Sequence, residues 1–562
     1  MIRLSRFLTL LAASLLALPA AAQTNDMAGM HAGHGFPQTL ADWSAGAQLF
    51  PDLGSFHRDA GTTVPAAQAY FDQGMRLLWA FNHDEAARSF ARAAKADPKC
   101  GICYWGVALT LGPNYNMPMM AEARARVAWD ALKKAEALAP AATPANRALI
   151  VALAKRYTGP QPVDPTNSAP LLAAFGDAMR DAARAFPKDD DILTLFAEAQ
   201  MNRTPWKLWN ADGTPARDTP EIVTTLETVL ARNPHHPGAN HYYIHAVEAS
   251  TAPGKAIDSA ERLKAMMPGA GHVVHMPSHI LQRVGRYEES AEANRLADAA
   301  DKAYYAKTAA IDYYPMYSAH NLQFLAAAAS MEGRSAETIK ALRDVRKVFT
   351  DDQAAAMPGM DWGIGYLYEA LIRFGRWQEM LAEPQPDARL LDLTVNWLSA
   401  RTIALAATGK RDEAKAELAK LKAKIAGAPA DALAGMNMAA PLFRIAELRA
   451  EARIAWDSGD KPAALTALRE AVKVEDTLSY NEPSDAFFPS RHLLGAALLG
   501  SNTPTEAEAV YREDLKRNPH NGWALFGLAQ ALKAQGKDAG TAEKDFAAAW
   551  VRADVKLSAS AF

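Results

Sequence analysis

At 562 residues the chain exceeds what one compact core serves, leaving several globular domains or one elongated array of repeats. Hydrophobic residues make up 49% and charged residues 22%, a balance that suits closely packed helices and argues against disorder or a β-sandwich. The net charge of −3 and isoelectric point near 6.6 offer no basic face, so nucleic acid is not an expected partner.

In chain order, the first segment reads as an export signal. MIRLSR carries two positive charges, FLTLLAASLLAL is an apolar core, and Pro19 then Ala20, Ala21 and Ala22 form a small-residue cleavage site. Residues 1–22 are therefore expected to be removed, leaving Gln23 first. The expectation is a periplasmic or secreted protein. No transmembrane segment is expected in the mature chain, because no later stretch reaches ~18 uninterrupted apolar residues. No cysteine stands at the cleavage point, so no lipid anchor is indicated. Residues 23–65, rich in Gly, Pro and Met, read as an extended arm. It interleaves Met27, Met30, His31 and His34, a thioether and imidazole mixture that copper handlers use and that low-complexity tails also produce.

Repeats begin near residue 66. In YFDQGMRLLWAFNHDEAARSFARAAKADP, Gly74 is followed by Ala86, Phe90, Ala93 and Pro98: a small residue where two helices touch, a turn, another small residue on the second helix, and a closing proline. The same ruler fits from Pro237 through Ala256, Ala260, Leu263 and Pro268, again from Gly271, Ala319, Val395 and Ile445, and through Gly495, Ala507, Tyr511 and Pro519. This pattern resembles the tetratricopeptide repeat (TPR), and the string AFNHDEA, CYWG, LGPN, HYYIHAVE and HMPSHI is similar to exported bacterial TPR proteins. The resemblance covers most of the chain. It implies an all-α fold, a TPR α-solenoid of antiparallel helix pairs whose first helices line a concave groove. An N-terminal array over 66–360 and a C-terminal array over 361–562 are expected.

Two insertions interrupt the ruler, Leu111–Met119 and Met201–Pro220. If both follow first helices they share one edge, where Asn114, Asn202, Arg203 and Trp206 would close a pocket. Plain tolerance of insertions is the other reading. The two cysteines, Cys100 and Cys103 in PKCGICYWG, are expected to form a local disulfide in an oxidising compartment. A redox-active pair is the alternative, but such pairs open a helix in a βαβ context, and nothing nearby reads as strand.

The ruler sorts the histidines. His83 takes a turn position and reads as structural, while His235 recurs as His520 at the same junction between repeats. His241 and His245 hold the fifth and ninth positions of the repeat from Pro237, and His275 and His279 hold the same two positions of the repeat from Gly271. His272 and His320 take second positions and Glu248 a twelfth. In the family these positions face the groove and grip ligands. Residues four apart rise by about 6 Å on one face, and neighbouring helices lie ~8–10 Å apart. Several imidazoles and a carboxylate can thus converge on one ion. Ligand softness suits zinc, copper, iron or nickel, with zinc or copper the named candidates. Pro277 is expected in the first turn of its helix, which would put His275 ahead of that helix and break the four-residue spacing there.

The resulting expectation is a binding or scaffold protein that takes a protein or peptide in its groove and binds a transition metal through the histidines. The alternative is a metal-dependent enzyme, a hydrolase or oxidoreductase, acting on a small substrate in the groove with Glu248 as ligand or general base. A metal-free reading leaves the histidines as polar groove residues. The chain contains no HExxH, nucleophile elbow or Gly-rich phosphate loop, so no catalytic signature decides among these.

Overall fold

The computed structural model describes residues 36–163, 168–308 and 314–562. The expected export signal and the Met27, Met30, His31 and His34 cluster lie outside the described residues. Among those described, the regular structure is helical except for one two-residue antiparallel ladder, Leu433–Ala434 against Asn437–Met438. The architecture is the expected all-α solenoid of antiparallel helix pairs. No described helix is long and apolar enough to cross a membrane.

The first pair shows why the sequence folds this way. Helix α1 (Pro65–Trp79) has proline in its first turn, where the missing N–H costs nothing. Helix α2 (His83–Ala96) is capped by Asn82, whose side chain accepts from the Glu85 N–H. The two helices close on Phe90. A β-carbon at Gly74 would lie 2.6 Å from its ring, and one at Gly106 of α3 (Gly101–Thr110) 2.4 Å from it. Gly495 and Gly527 approach Tyr511 in the same way, at 2.3 and 2.1 Å. The small residues of the ruler are thus points of ring-to-backbone contact.

Residues 36–65, expected as part of an extended arm, are mostly irregular but are packed down. A six-residue helix, Leu40–Ala45, buries Trp43, and Leu53 is buried beyond it. The Phe50 N–H donates to Gln73 Oε1 at 2.7 Å, and the Asp52 carbonyl accepts from the Gly269 N–H at 2.7 Å. Apolar side chains from α1 and from the turn near Met267 draw this segment in. One buried apolar cluster runs from Phe36 to Tyr317 and a second from Tyr287 to Trp523. Helix Tyr287–Tyr305 and helix α7 (Pro315–Met331) contribute residues to both clusters.

Cys100 and Cys103 are joined, with an S–S distance of 2.01 Å, at the start of α3. Both are buried, which suits a structural bridge, since exchange requires access to the sulfur. Between α3 and α7, three elements carry the histidines: α4 (Pro237–Val247), α5 (Gly271–His275) and α6 (Pro277–Arg283).

Candidate metal centre

Helix α4 begins at Pro237, in its first turn, behind the His236 side chain, which accepts from the Ala239 N–H. It packs so tightly on the end of α1 that a β-carbon at Gly238 would lie 2.4 Å from the Trp79 ring. That approach brings the Trp79 carbonyl, one of those a helix end leaves without an intrahelical donor, to His241. The His241 Nδ1–H donates to it at 2.6 Å. One turn on, the His245 Nδ1–H donates to Glu248 Oε1 at 2.8 Å. Both rings are thereby held in the tautomer whose Nε2 carries a bare lone pair. Such bonds from the far nitrogen are the usual way a metal-ligating histidine is oriented.

The two Nε2 atoms meet a third ring. His241, His245 and His272 each offer a nitrogen within 4.8 Å of the others. His241 Nε2, His245 Nε2 and both nitrogens of His272 are buried without a hydrogen-bond partner. Leaving four such atoms unpaired costs ~1–3 kcal/mol each, so a ligand for them is the natural reading. Burial, and then the neighbouring histidines, hold all three rings below the ordinary imidazole value, His245 at about 3. They stay neutral, the form that binds metal.

A second triad lies beside the first. His275, His279 and His320 also offer nitrogens within 4.8 Å of one another, His320 being the partly exposed member. Pro277 does stand in the first turn of α6, as expected, but the chain does not break there. Met276 keeps right-handed helical angles, its N–H bonds to the His272 carbonyl at 3.1 Å, and the His279 N–H bonds to the Met276 carbonyl at 3.2 Å. The expected loss of the four-residue spacing is therefore corrected: His275 ends one helical turn, His279 lies in the next, and their Nε2 atoms are 2.6 Å apart.

Glu248 stands between the triads. Its Oε2 accepts from the His279 Nδ1–H at 2.5 Å, while Oε1 serves His245. Glu482 joins it, with Oε2 2.7 Å from His279 Nδ1 and accepting from the Tyr480 hydroxyl at 2.9 Å. His245, Glu248, His279 and Glu482 form a third set of ligand atoms within 4.8 Å. Burial alone would lower the His279 value, yet Glu482 and Glu248 carry it up to about 10. Burial and the adjoining Glu248 push Glu482 up to about 7.

Aromatic rings wall the centre. Phe81 lies 4.6 Å from His241 and stacks on His245 and His272, Tyr317 stacks on His272 at 4.3 Å, and Tyr115 and Trp206 cover His245 at 5.4 and 5.3 Å. Phe81 and Trp206 have φ of 52° and 62°, left-handed backbone that costs bulky residues of order 1–3 kcal/mol and gathers at functional sites. Where a solvent-lined groove was expected, these positions are buried except for the partly exposed His320, because the rings of α1's exit turn and of both insertions fill the space.

The pocket residues divide. Trp206 meets His245, as its loop position suggested, and its neighbour Trp209 ties the loop down by donating to the Ala246 carbonyl at 2.8 Å. Asn114 is buried but donates to His83 Nδ1 at 3.1 Å. Asn202 donates to Glu198 at 2.6 Å, and Arg203 pairs with Gln200 and Asp218. Asn114 thus ties its loop to α2, and Asn202 and Arg203 tie theirs to the helix Asp190–Met201 before it. Sequence reasoning missed Glu482, Phe81, Trp79 and Asn294. Glu482 lies in the irregular stretch YNEPSDAFFP between helices Lys461–Glu475 and Ser490–Gly500, off any repeat position, more than two hundred residues from the histidines it joins. Phe81 left a signal, an aromatic ring directly before the Asn82 cap.

No known family model matches the chain, and no curated protein matches it in sequence. Solved structures resemble it in outline. A human IFIT1 dimer with m7Gppp-AAAA aligns over 80% of this chain and 89% of its own at 11% identity and a TM-score of 0.33. The APC/C hetero-tetramer Cut9–Hcn1 aligns over 88% and 81% at 13% identity and 0.32. The TPR domain of P58(IPK) aligns over 84% and 98% at 11% identity and 0.23. At such scores these likenesses carry no functional argument.

Proposed function

We propose that this chain is an exported TPR binding protein whose histidine core holds a resident transition metal, zinc or copper. The observation that carries the reading is the first triad: three buried, neutral imidazoles whose inward nitrogens have no hydrogen-bond partner, two of them oriented from behind by a carbonyl and a carboxylate. The donors are all nitrogen, which suits zinc or copper over magnesium or calcium. Burial favours a resident ion over one passed on to a carrier. The export signal read in residues 1–22 supports a periplasmic or secreted location. A protein or peptide partner fits best against the first helices of the C-terminal array, where a cavity of about 550 Å³ is lined by Arg373, Arg449, Arg453, Trp377, Trp456 and Phe526.

A metal-dependent hydrolase or oxidoreductase is the second reading, since a three-histidine zinc site keeps a fourth position for water. Elemental analysis of untagged protein after exposure to Zn²⁺ and exhaustive dialysis tests the common premise. We expect retained zinc, and less of it in His241→Ala and His272→Ala. Metal-free wild type, or variants that retain as much as wild type, would sink both readings.

A further inference from the structure

We propose that the histidine core is a dinuclear centre, with one ion in the His241, His245 and His272 triad, a second in the His275, His279 and His320 triad, and Glu248 joining the two from behind. This rests on the metal-binding reading and goes further in assigning two sites and their ligands.

The second triad has its own geometric argument. The Asn294 Nδ2 group donates to the Ser290 carbonyl at 2.7 Å, which fixes the amide so that its Oδ1 faces His275. At 2.6 Å from that oxygen, His275 Nδ1 must carry the proton. His279 Nδ1 faces two carboxylate oxygens and must carry one as well. The two Nε2 atoms point at each other across 2.6 Å, and without a metal the cation between them is the second His279 proton, which Glu248 and Glu482 favour. Two lone pairs at that separation repel unless a cation lies between them. A metal ion accepts both, with a modest opening of the pair toward the spacing that bonds of ~2.0–2.1 Å require. His320 completes the set from α7.

The rival single-ion arrangement would use the set His245, Glu248, His279 and Glu482. It would take up the two Nδ1 atoms that already donate to Glu248, and it would leave the four orphaned nitrogens of the first triad unexplained. Two triads use one nitrogen of every ring, three of the four orphaned ones among them, and keep Glu248 as the carboxylate behind one ring of each. Carboxylates of that kind fix the tautomer and raise the basicity of the ligand. Paired metals of this sort act together on one small molecule when they lie a few ångströms apart. The two triads are in contact, with ring centroids of His245 and His279 5.5 Å apart and those of His272 and His275 5.9 Å apart.

Native mass spectrometry of the wild-type chain titrated with Zn²⁺ decides the stoichiometry without any variant. The expected result is two tightly held zinc ions per chain. One ion would overturn the dinuclear centre while leaving the proposed function standing, and none would remove both. The assignment of ligands is tested with His320→Ala, chosen because this ring is partly exposed and its loss disturbs packing least, alongside His241→Ala. Each is expected to hold one ion, and the double variant none, with circular dichroism melts reporting that the chains are folded. A proton, in place of the second metal, would leave His320→Ala with the same zinc content as wild type.

Discussion

On the inner side of the N-terminal repeats, imidazole and aromatic rings fill the space between first helices: Phe81, Tyr115, Trp206 and Tyr317 all lie within ring contact of the histidine core. On the inner side of the C-terminal repeats, a cavity of about 550 Å³ remains. Its wall is cationic and aromatic. Arg373 stacks on Trp523 at 4.4 Å and Arg449 on Phe488 at 4.6 Å. The segment Ser558–Phe562 lies along it, with the Arg453 guanidinium donating to the Phe562 carbonyl at 2.6 Å. The helix pairs are of one kind in both regions. What differs is whether loops close over the groove, and that decides whether the groove becomes a buried centre or an open surface.

The strongest contrast to measure is tolerance of added volume. Gly238→Ala adds one carbon where Trp79 leaves none of the needed space, and overpacking of this kind costs ~1–3 kcal/mol. Ala496→Leu adds three carbons at the wall of the C-terminal cavity and is expected to change stability by about 0.5 kcal/mol or less. Urea unfolding of both variants checks this. Equal losses would mean that the two regions are filled alike.

The two regions meet chemically at Glu482. Glu482→Gln removes the charge beside His279 but keeps the shape, and changes to such supporting groups weaken metal binding about 10- to 100-fold. Competition with a chelator should show the larger loss in the ion of the second triad, because Glu482 pairs directly with His279 at 2.7 Å and reaches His245 of the first triad only through its charge. An unchanged affinity would separate the C-terminal array from the centre.

The smallest effect expected is a change in pH dependence within the C-terminal region. Burial, then the neighbouring carboxylate of Asp361, push Asp392 up to about 8 from an ordinary value of 3.8. A group whose folded value is raised binds its proton more tightly when folded. Its contribution is full below about pH 4 and is lost as pH rises toward 8. Asp392→Asn should therefore raise the unfolding midpoint more at pH 8 than at pH 5. An identical shift at both would refute the raised Asp392 value.

Repeat spacing made most of the fold legible, since small residues at Gly74, Gly495 and Gly527 can only recur in register where a ring of the second helix lies against the first. The same spacing placed six histidines on the inner face and named Glu248, because position within a repeat fixes direction. It did not fix the partners of Asn114, Asn202 and Arg203, whose side chains tie the insertions to His83, Glu198 and Gln200. Loop residues have no period to fix where they point. At Pro277 the local rule was right about the proline and wrong about its consequence, because Met276 carried the helical turn across.

The amino-acid sequence by itself determined the helix pairs, their order and the side of each helix on which the histidines lie, all of which follow from contacts between residues close in the chain. Only the tertiary structure decided that these histidines are buried, that they divide into two triads, and that Glu482 reaches them. Those outcomes depend on the packing of Trp79 against α4, on two insertions folding inward, and on a loop arriving from the far array. Each of these is a contact between distant segments, which no local spacing encodes.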